Sequence, residues 1–194
     1  MGSYYKDYFY PACAVNTVPE ILMTGGCNQT NEDSNGRCTT ETSTAYTSDG
    51  ETFADLPPMP VALTSPCVVA LDGNDLFVTG GSYYNGFSSD YSEKSYLYHY
   101  DTKEWEELPG LLTPREDHMC ARVRNSNGDE EVIVAGGFSC VSSEDCIRSL
   151  DLVDIYDLQS GQWRSGQSLI IGSIITKCTF TIAHYLQEIF CPKY

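Results

Sequence analysis

The chain has 194 residues, enough for one ordinary domain or for part of a large all-β one. Its net charge of −16 repels phosphate backbones and anionic lipid, which disfavours nucleic acid and membrane docking. The charge leaves two readings open, a basic partner or cation on one side and simple solubility on the other. Hydrophobic residues at 41 % support a packed core, and aromatics at 12 %, with fourteen tyrosines, suit strands.

Taken in order, the opening residues MGSYYKDYFYPACAV lack the apolar run of a secretory leader, and Lys6 stands where a myristoylation signal needs Ser or Thr. An apolar segment around Cys13 then leads into ILMTGG, which ends at Gly25-Gly26. The same stretch returns as DLFVTGG, ending at Gly80-Gly81, and as VIVAGG, ending at Gly136-Gly137, at intervals of 55 and 56 residues. A β-branched run stopped by two glycines predicts a buried strand whose end turns through angles that a side chain forbids. Three copies at a near-constant period predict an internal repeat.

Other positions fall into the same register. After each doublet comes a long polar loop, then a tyrosine, then an aromatic seven residues on: Tyr46 and Phe53, Tyr98 and Trp105, Tyr156 and Trp163. The residues between carry turn chemistry. Proline-bearing connectors follow, ADLPPMPVALTSP and EELPGLLTPREDH, and halt the strand. Next comes an apolar cysteine strand, with Cys67 in CVVALDGND and Cys120 in CARVRNSNGDE, each ending in turn residues that feed the next glycine-terminated strand. Four short strands per period, with no sustained 3.6-residue periodicity, predict an all-β propeller with four-stranded antiparallel blades.

The combination of strand and Gly-Gly, then Tyr-Asp, then Trp resembles the Kelch repeat. The best copies are VIVAGG with DIYDLQSGQW, and LFVTGG with LYHYDTKEWEELPGLLTPR. Arg115 and His118 also stand where Kelch repeats often carry Arg and His. The resemblance implies a Kelch-type β-propeller over one domain, 1–194, with units near 10–63, 64–116 and 117–170. Unit one departs in Phe53 for Trp. At the C-terminus Cys178 is in register, but the doublet due near 190–194 reads Phe190-Cys191-Pro192-Lys193-Tyr194, so 171–194 is expected to be a broken partial fourth repeat of a longer protein. The apolar stretch from Leu169 to Ile175 is interrupted by Gly172 and Ser173 and is too short to span a membrane.

The nine cysteines divide into two sets. Cys13, Cys67, Cys120 and Cys178 share one place in the repeat and are expected to be small buried hydrophobes, in different blades and too far apart to bridge. Cys27 with Cys38, and Cys140 with Cys146, enclose acidic loops after their doublets. They read as disulfides of an oxidising compartment, with free thiols of a cytosolic protein as the alternative. Neither pair has zinc spacing. Asn28 opens the sequon Asn28-Gln29-Thr30 in the same loop, which agrees with secretion or display at the cell surface.

No constellation of catalytic, metal or cofactor residues stands out among His99, His118 and His184. His118 is expected to bond to backbone at a strand start. The acid run Asp129-Glu130-Glu131 is expected to be a solvated turn. In Kelch propellers the loops between strands two and three, and the connectors from strand four to the next blade, share one face, and the resemblance implies that protein partners dock there. The second such loop carries Tyr83, Tyr84, Phe87 and Tyr91 among small polar residues, the composition of a recognition surface. Arg115 either contacts a partner or braces its connector. The leading expectation is therefore a non-catalytic interaction module of a secreted or cell-surface protein. The alternatives are the propeller of an intracellular adaptor joined to a BTB domain, or a propeller enzyme resembling galactose oxidase or a mutarotase.

Overall fold

Aliphatic runs of four to six residues, cut by glycine pairs or turn residues, are long enough for strands and too short for helices. The computed structural model describes residues 53–170 apart from 85–88 and 141–147, together with strand backbone at 8–9, 12–15, 21–24, 27–28 and 46–48. The first sheet holds β2 (Ala12–Val15), β3 (Ile21–Thr24), β5 (Tyr46–Ser48) and β6 (Phe53–Asp55), flanked by a pairing of β1 (Tyr8–Phe9) with β4 (Cys27–Asn28). The second runs β7 (Cys67–Ala70), β8 (Leu76–Thr79), β11 (Ser95–His99), β12 (Glu104–Leu108), with β9 (Ser82–Tyr84) and β10 (Ser89–Tyr91) as a separate hairpin. The third runs β13 (Met119–Arg124), β14 (Glu130–Ala135), β17 (Val153–Asp157), β18 (Gln162–Ser165), again with a hairpin of β15 (Phe138–Ser139) and β16 (Arg148–Ser149).

All pairings are antiparallel and follow chain order, as in a propeller blade. The first strands of successive sheets adjoin, β2 beside β7 and β7 beside β13, so the blades converge along that edge.

Strand alternation explains how the blades stack. Leu76 and Val78 of β8 join Leu56, Met59 and Leu63 of the first blade's connector, with Tyr96 and Tyr98. Phe77, between them in sequence, points the other way and joins Val132, Val134 and Tyr156 of the third blade. Both faces of the middle blade are thus buried, and β8 reads as a continuous apolar run for that reason.

The repeat aromatics tie each blade to the one before it. The Trp105 indole N–H donates to the Pro57 carbonyl at 3.0 Å, and Trp163 donates to Pro109 at 2.8 Å. Each indole also lies against its own tyrosine, with ring centroids 4.9 Å apart for Tyr98 and 5.0 Å for Tyr156. Burial pushes the Tyr98 phenol up to about 12.

The structure corrects the reading of the cysteine strands. Cys67 and Cys120 form a disulfide, with Cα atoms 5.9 Å apart. They do not share a repeat position. Cys67 lies opposite Thr79, one residue before its doublet, whereas Cys120 lies opposite Val134, two before its own. A one-residue offset reverses the face that a side chain occupies. Cys67 shares its face of β7 with Val69, which packs toward the third blade, and Cys120 belongs to the same cluster from the other side. The two therefore meet across the interface, where the first strands run together. By register Cys13 resembles Cys120, lying opposite Met23 two residues before Gly25.

The acid run is corrected as well. Glu130 and Glu131 lie in β14, Glu130 paired with Arg122 and Arg124, and Glu131 is buried and accepts from Asn125 at 3.0 Å and from Arg164 at 2.9 Å. Arg122 also donates to Asp72 of the second blade from both terminal guanidinium nitrogens, at 2.8 and 2.6 Å, adding a charged clasp between the blades.

Candidate interaction face

In a four-stranded antiparallel blade, the start of strand one, the end of strand two and the exit of strand four all lie at one end of the sheet. The glycine doublets are the joints of that end. Gly80 and Gly81 have φ of +67° and +92°, and Gly136 and Gly137 have +69° and +90°. Space is as restrictive as angle there, since a Cβ on Gly81 would stand 2.6 Å from the Thr64 carbonyl oxygen and one on Gly137 2.5 Å from that of Glu116. Past each doublet the chain pairs with the lead-in to its own blade, Ser82 with Thr64 and Phe138 with Glu116. Phe9 and Cys27 hold the same relation in the first blade. The doublet of the second blade also holds the connector to the third, because the Gly81 N–H donates to the Arg115 carbonyl at 2.8 Å.

These pairings set the repeat register at the face: Arg115 takes the place that Leu63 holds one blade earlier, and Asp154, opposite Val134, takes that of Tyr96, opposite Val78. Leu63 and Tyr96 belong to one apolar cluster. Arg115 and Asp154 instead form an ion pair at 2.8 Å with side chains 0 % and 4 % exposed. Arg115 further donates to the carbonyls of Thr113 at 3.2 Å, Gly136 at 3.2 Å and Leu152 at 3.0 Å. The backbone N–H groups of Thr113 and Leu112 lie near the Asp154 carboxyl and oppose the rise in its pKa. Burial holds the guanidinium below its ordinary range and raises the Asp154 carboxyl, each opposed by attraction to the other. Arg115 thus braces its connector against the third blade, and its candidacy as a partner contact is withdrawn because no surface of it reaches solvent. Its signal in the sequence was Asp154, which shares a strand face with Tyr156 at a position where an apolar residue is expected.

His118 follows the brace and lies over Gly80, where a Cβ would come within 2.4 Å of its Cε1. Its ring is buried, and neither nitrogen meets a hydrogen-bond partner, contrary to the expected backbone bond. Desolvation first, and the neighbouring Arg115 charge second, depress its pKa to about 3, so the ring is neutral at pH 7. The Thr79 backbone lies near enough to oppose this weakly. His99, by contrast, sits at the sheet's opposite end between Asp75 at 3.2 Å and Glu106 at 3.0 Å, and the Glu106 contact leads in raising its pKa.

Of the expected docking residues, Tyr83 is 36 % exposed at the hairpin. Tyr91 is half-buried, its phenol raised by burial and by nearby Glu116 and Asp117. Phe87 and the side chain of Tyr84 lie outside the described residues, as do Gly25, Gly26, Cys38, Cys146, Cys178 and the side chains of Cys13, Cys27, Asn28, Tyr46 and Phe53. Cys140 is disulfide-bonded, while its pairing with Cys146 falls outside what is described. Two exposed residues at this end were not singled out from sequence, Leu112 at 51 % and Leu152 at 37 %. Among the described residues no group of acid, His or Cys side chains could hold a metal ion, and no helix is long and apolar enough to cross a membrane.

No family model matches the chain. Kelch-like protein 40a of Danio rerio is 33 % identical over 105 residues, which make up 53 % of this chain and 16 % of that protein. The solved structure of YjhT, a Kelch-type propeller, matches with a TM-score of 0.62 at 14 % identity, over 84 % of this chain and 52 % of that one. The chain therefore spans about half the length of the solved propeller and a small part of the curated relative.

Proposed function

Because this chain belongs to the Kelch-repeat propellers, we propose that it serves as a non-catalytic protein-interaction module whose docking face is the end built from the glycine doublets, the hairpins and the blade connectors. The observation that carries this is how that end is bonded. Paired backbone past the doublets, the Arg115–Asp154 ion pair and the Cys67–Cys120 disulfide all lie at the end of the blades where Tyr83, Leu112 and Leu152 are exposed, and a pre-organised end of this kind lowers the entropy lost on binding. The test is selection of binders to the full chain from a displayed peptide library. Binding that falls on Tyr83→Ala, and is untouched by Gln159→Ala at the opposite turn, supports the proposal. Binders that map to the opposite turn would sink it.

We further propose a secreted or cell-surface location. Support comes from the Cys67–Cys120 disulfide and the bonded Cys140, which an oxidising compartment sustains. Peptide mapping of protein isolated from its native source, with thiols blocked before lysis, decides the matter. Free Cys67 and Cys120 there would favour the intracellular adaptor reading.

A further inference from the structure

Comparison of equivalent positions at the two blade junctions separates what the fold requires from what this chain has added. At the junction of the first and second blades, the register that equates Leu63 with Arg115 and Tyr96 with Asp154 places Pro60 and Lys94 at the surface. Lys94 there is paired with Glu107. At the junction of the second and third blades the same two places hold Leu112 and Leu152, both exposed. The repeat tolerates a proline and a cation at these positions, so packing does not demand the leucines.

Both leucines also adjoin the buried brace through their backbone. The Leu112 N–H lies near the Asp154 carboxylate, and Leu152 gives its carbonyl to Arg115 at 3.0 Å. One ion pair thus lies beside the backbone that carries both exposed leucines. Two exposed acidic residues are tied to the same backbone. Exposed Glu93 takes the Leu111 N–H on its carbonyl at 2.7 Å, and exposed Asp151 precedes Leu152 and binds Leu169 in the equivalent way. The cation in the brace is fully buried and already paired, so it does not offset them at the surface.

Resting on the interaction reading above, we propose that this seam is a docking site for a basic, apolar linear peptide segment of a protein partner. Its aliphatic or aromatic side chain would seat on Leu112 and Leu152, and its Lys or Arg residues would meet Glu93 and Asp151. Charge complementarity selects this occupant over an acidic peptide, and the −16 net charge of the chain extends the attraction beyond the seam.

The test uses the displayed library of random linear peptides on the full chain, followed by affinity measurement with the enriched peptides. Enrichment of sequences that place Lys or Arg beside Leu, Met or Phe is expected. Leu112→Asp/Leu152→Asp should weaken them about tenfold or more, and Glu93→Lys/Asp151→Lys about three- to tenfold with a shallower salt dependence. Unchanged thermal midpoints of both variants show that the fold is intact, as their exposure leads one to expect. Should folding suffer, Leu112→Ser and Leu152→Ser singly give the same comparison. Peptides that are acidic, or that bind the double-aspartate variant undiminished while losing to Tyr83→Ala, overturn this site and leave the interaction module standing. Peptides confined to the opposite turn overturn both.

Discussion

Replacing Arg115 by Met gives the sharpest check on how the connector from the second blade is held to the third. The substitution keeps an unbranched apolar stem and removes the guanidinium, leaving the Asp154 carboxylate 4 % exposed without its charged partner. The Thr113 and Gly136 carbonyls lose their donor as well, whereas Leu152 still accepts from the Gly136 N–H at 3.1 Å. Breaking a buried pair from one side costs about 3–5 kcal/mol. Asp154 is already inclined toward protonation by burial, so the loss should shrink as pH falls and the acid becomes neutral. Arg115→Met/Asp154→Leu makes this junction apolar, as the preceding junction already is with Leu63 and Tyr96. It should recover about 2 kcal/mol or more of the single-variant loss, since a buried ion pair and a packed apolar pair are of similar worth. Urea unfolding of the four proteins of this cycle, at neutral and mildly acidic pH, measures each quantity. A cost below about 1 kcal/mol for Arg115→Met, or a double variant no better than the single, would refute the brace.

Three further outcomes follow from the same geometry. Removing the inter-blade disulfide with Cys67→Ser/Cys120→Ser opens a crosslink of sequence separation 53, worth about 4 kcal/mol in the chain-entropy account. Dithiothreitol should lower the wild-type midpoint toward that of the variant, and an unaltered midpoint would show that the bond does not carry stability. His118 has a folded pKa of about 3 against an ordinary value of 6.5, so the unfolded chain binds the extra proton between those values and stability falls as pH falls through that window. The slope is about 1.4 kcal/mol per pH unit, and His118→Phe should remove it, whereas equal slopes would contradict a buried neutral ring. Gly137→Ala should destabilise more than Gly128→Ala. Their φ values are +90° and +92°, but only the first adds a clash, with the Glu116 oxygen at 2.5 Å. The angle alone is worth about 1–3 kcal/mol, and equal unfolding midpoints for the two variants would show that contact contributes nothing.

The sequence by itself determined the blade. Alternation, β-branched runs, the doublets at Gly80-Gly81 and Gly136-Gly137, and the turns between tyrosine and tryptophan are local constraints, and local constraints are legible along a chain. Tertiary structure decided what passes between blades. Cys67 and Cys120 looked equivalent because turn length hides a one-residue shift in strand pairing, and that shift alone turns two isolated thiols into facing partners. Arg115 looked ambiguous because its burial depends on Asp154, which lies 39 residues away in sequence. Leu112 and Leu152 carried no signal of their own, since a leucine near a proline connector reads as core until the register shows its neighbours turned inward beneath it. Contacts within a blade follow from periods of two, whereas contacts between blades depend on how separate sheets converge, and no short window of sequence holds that information.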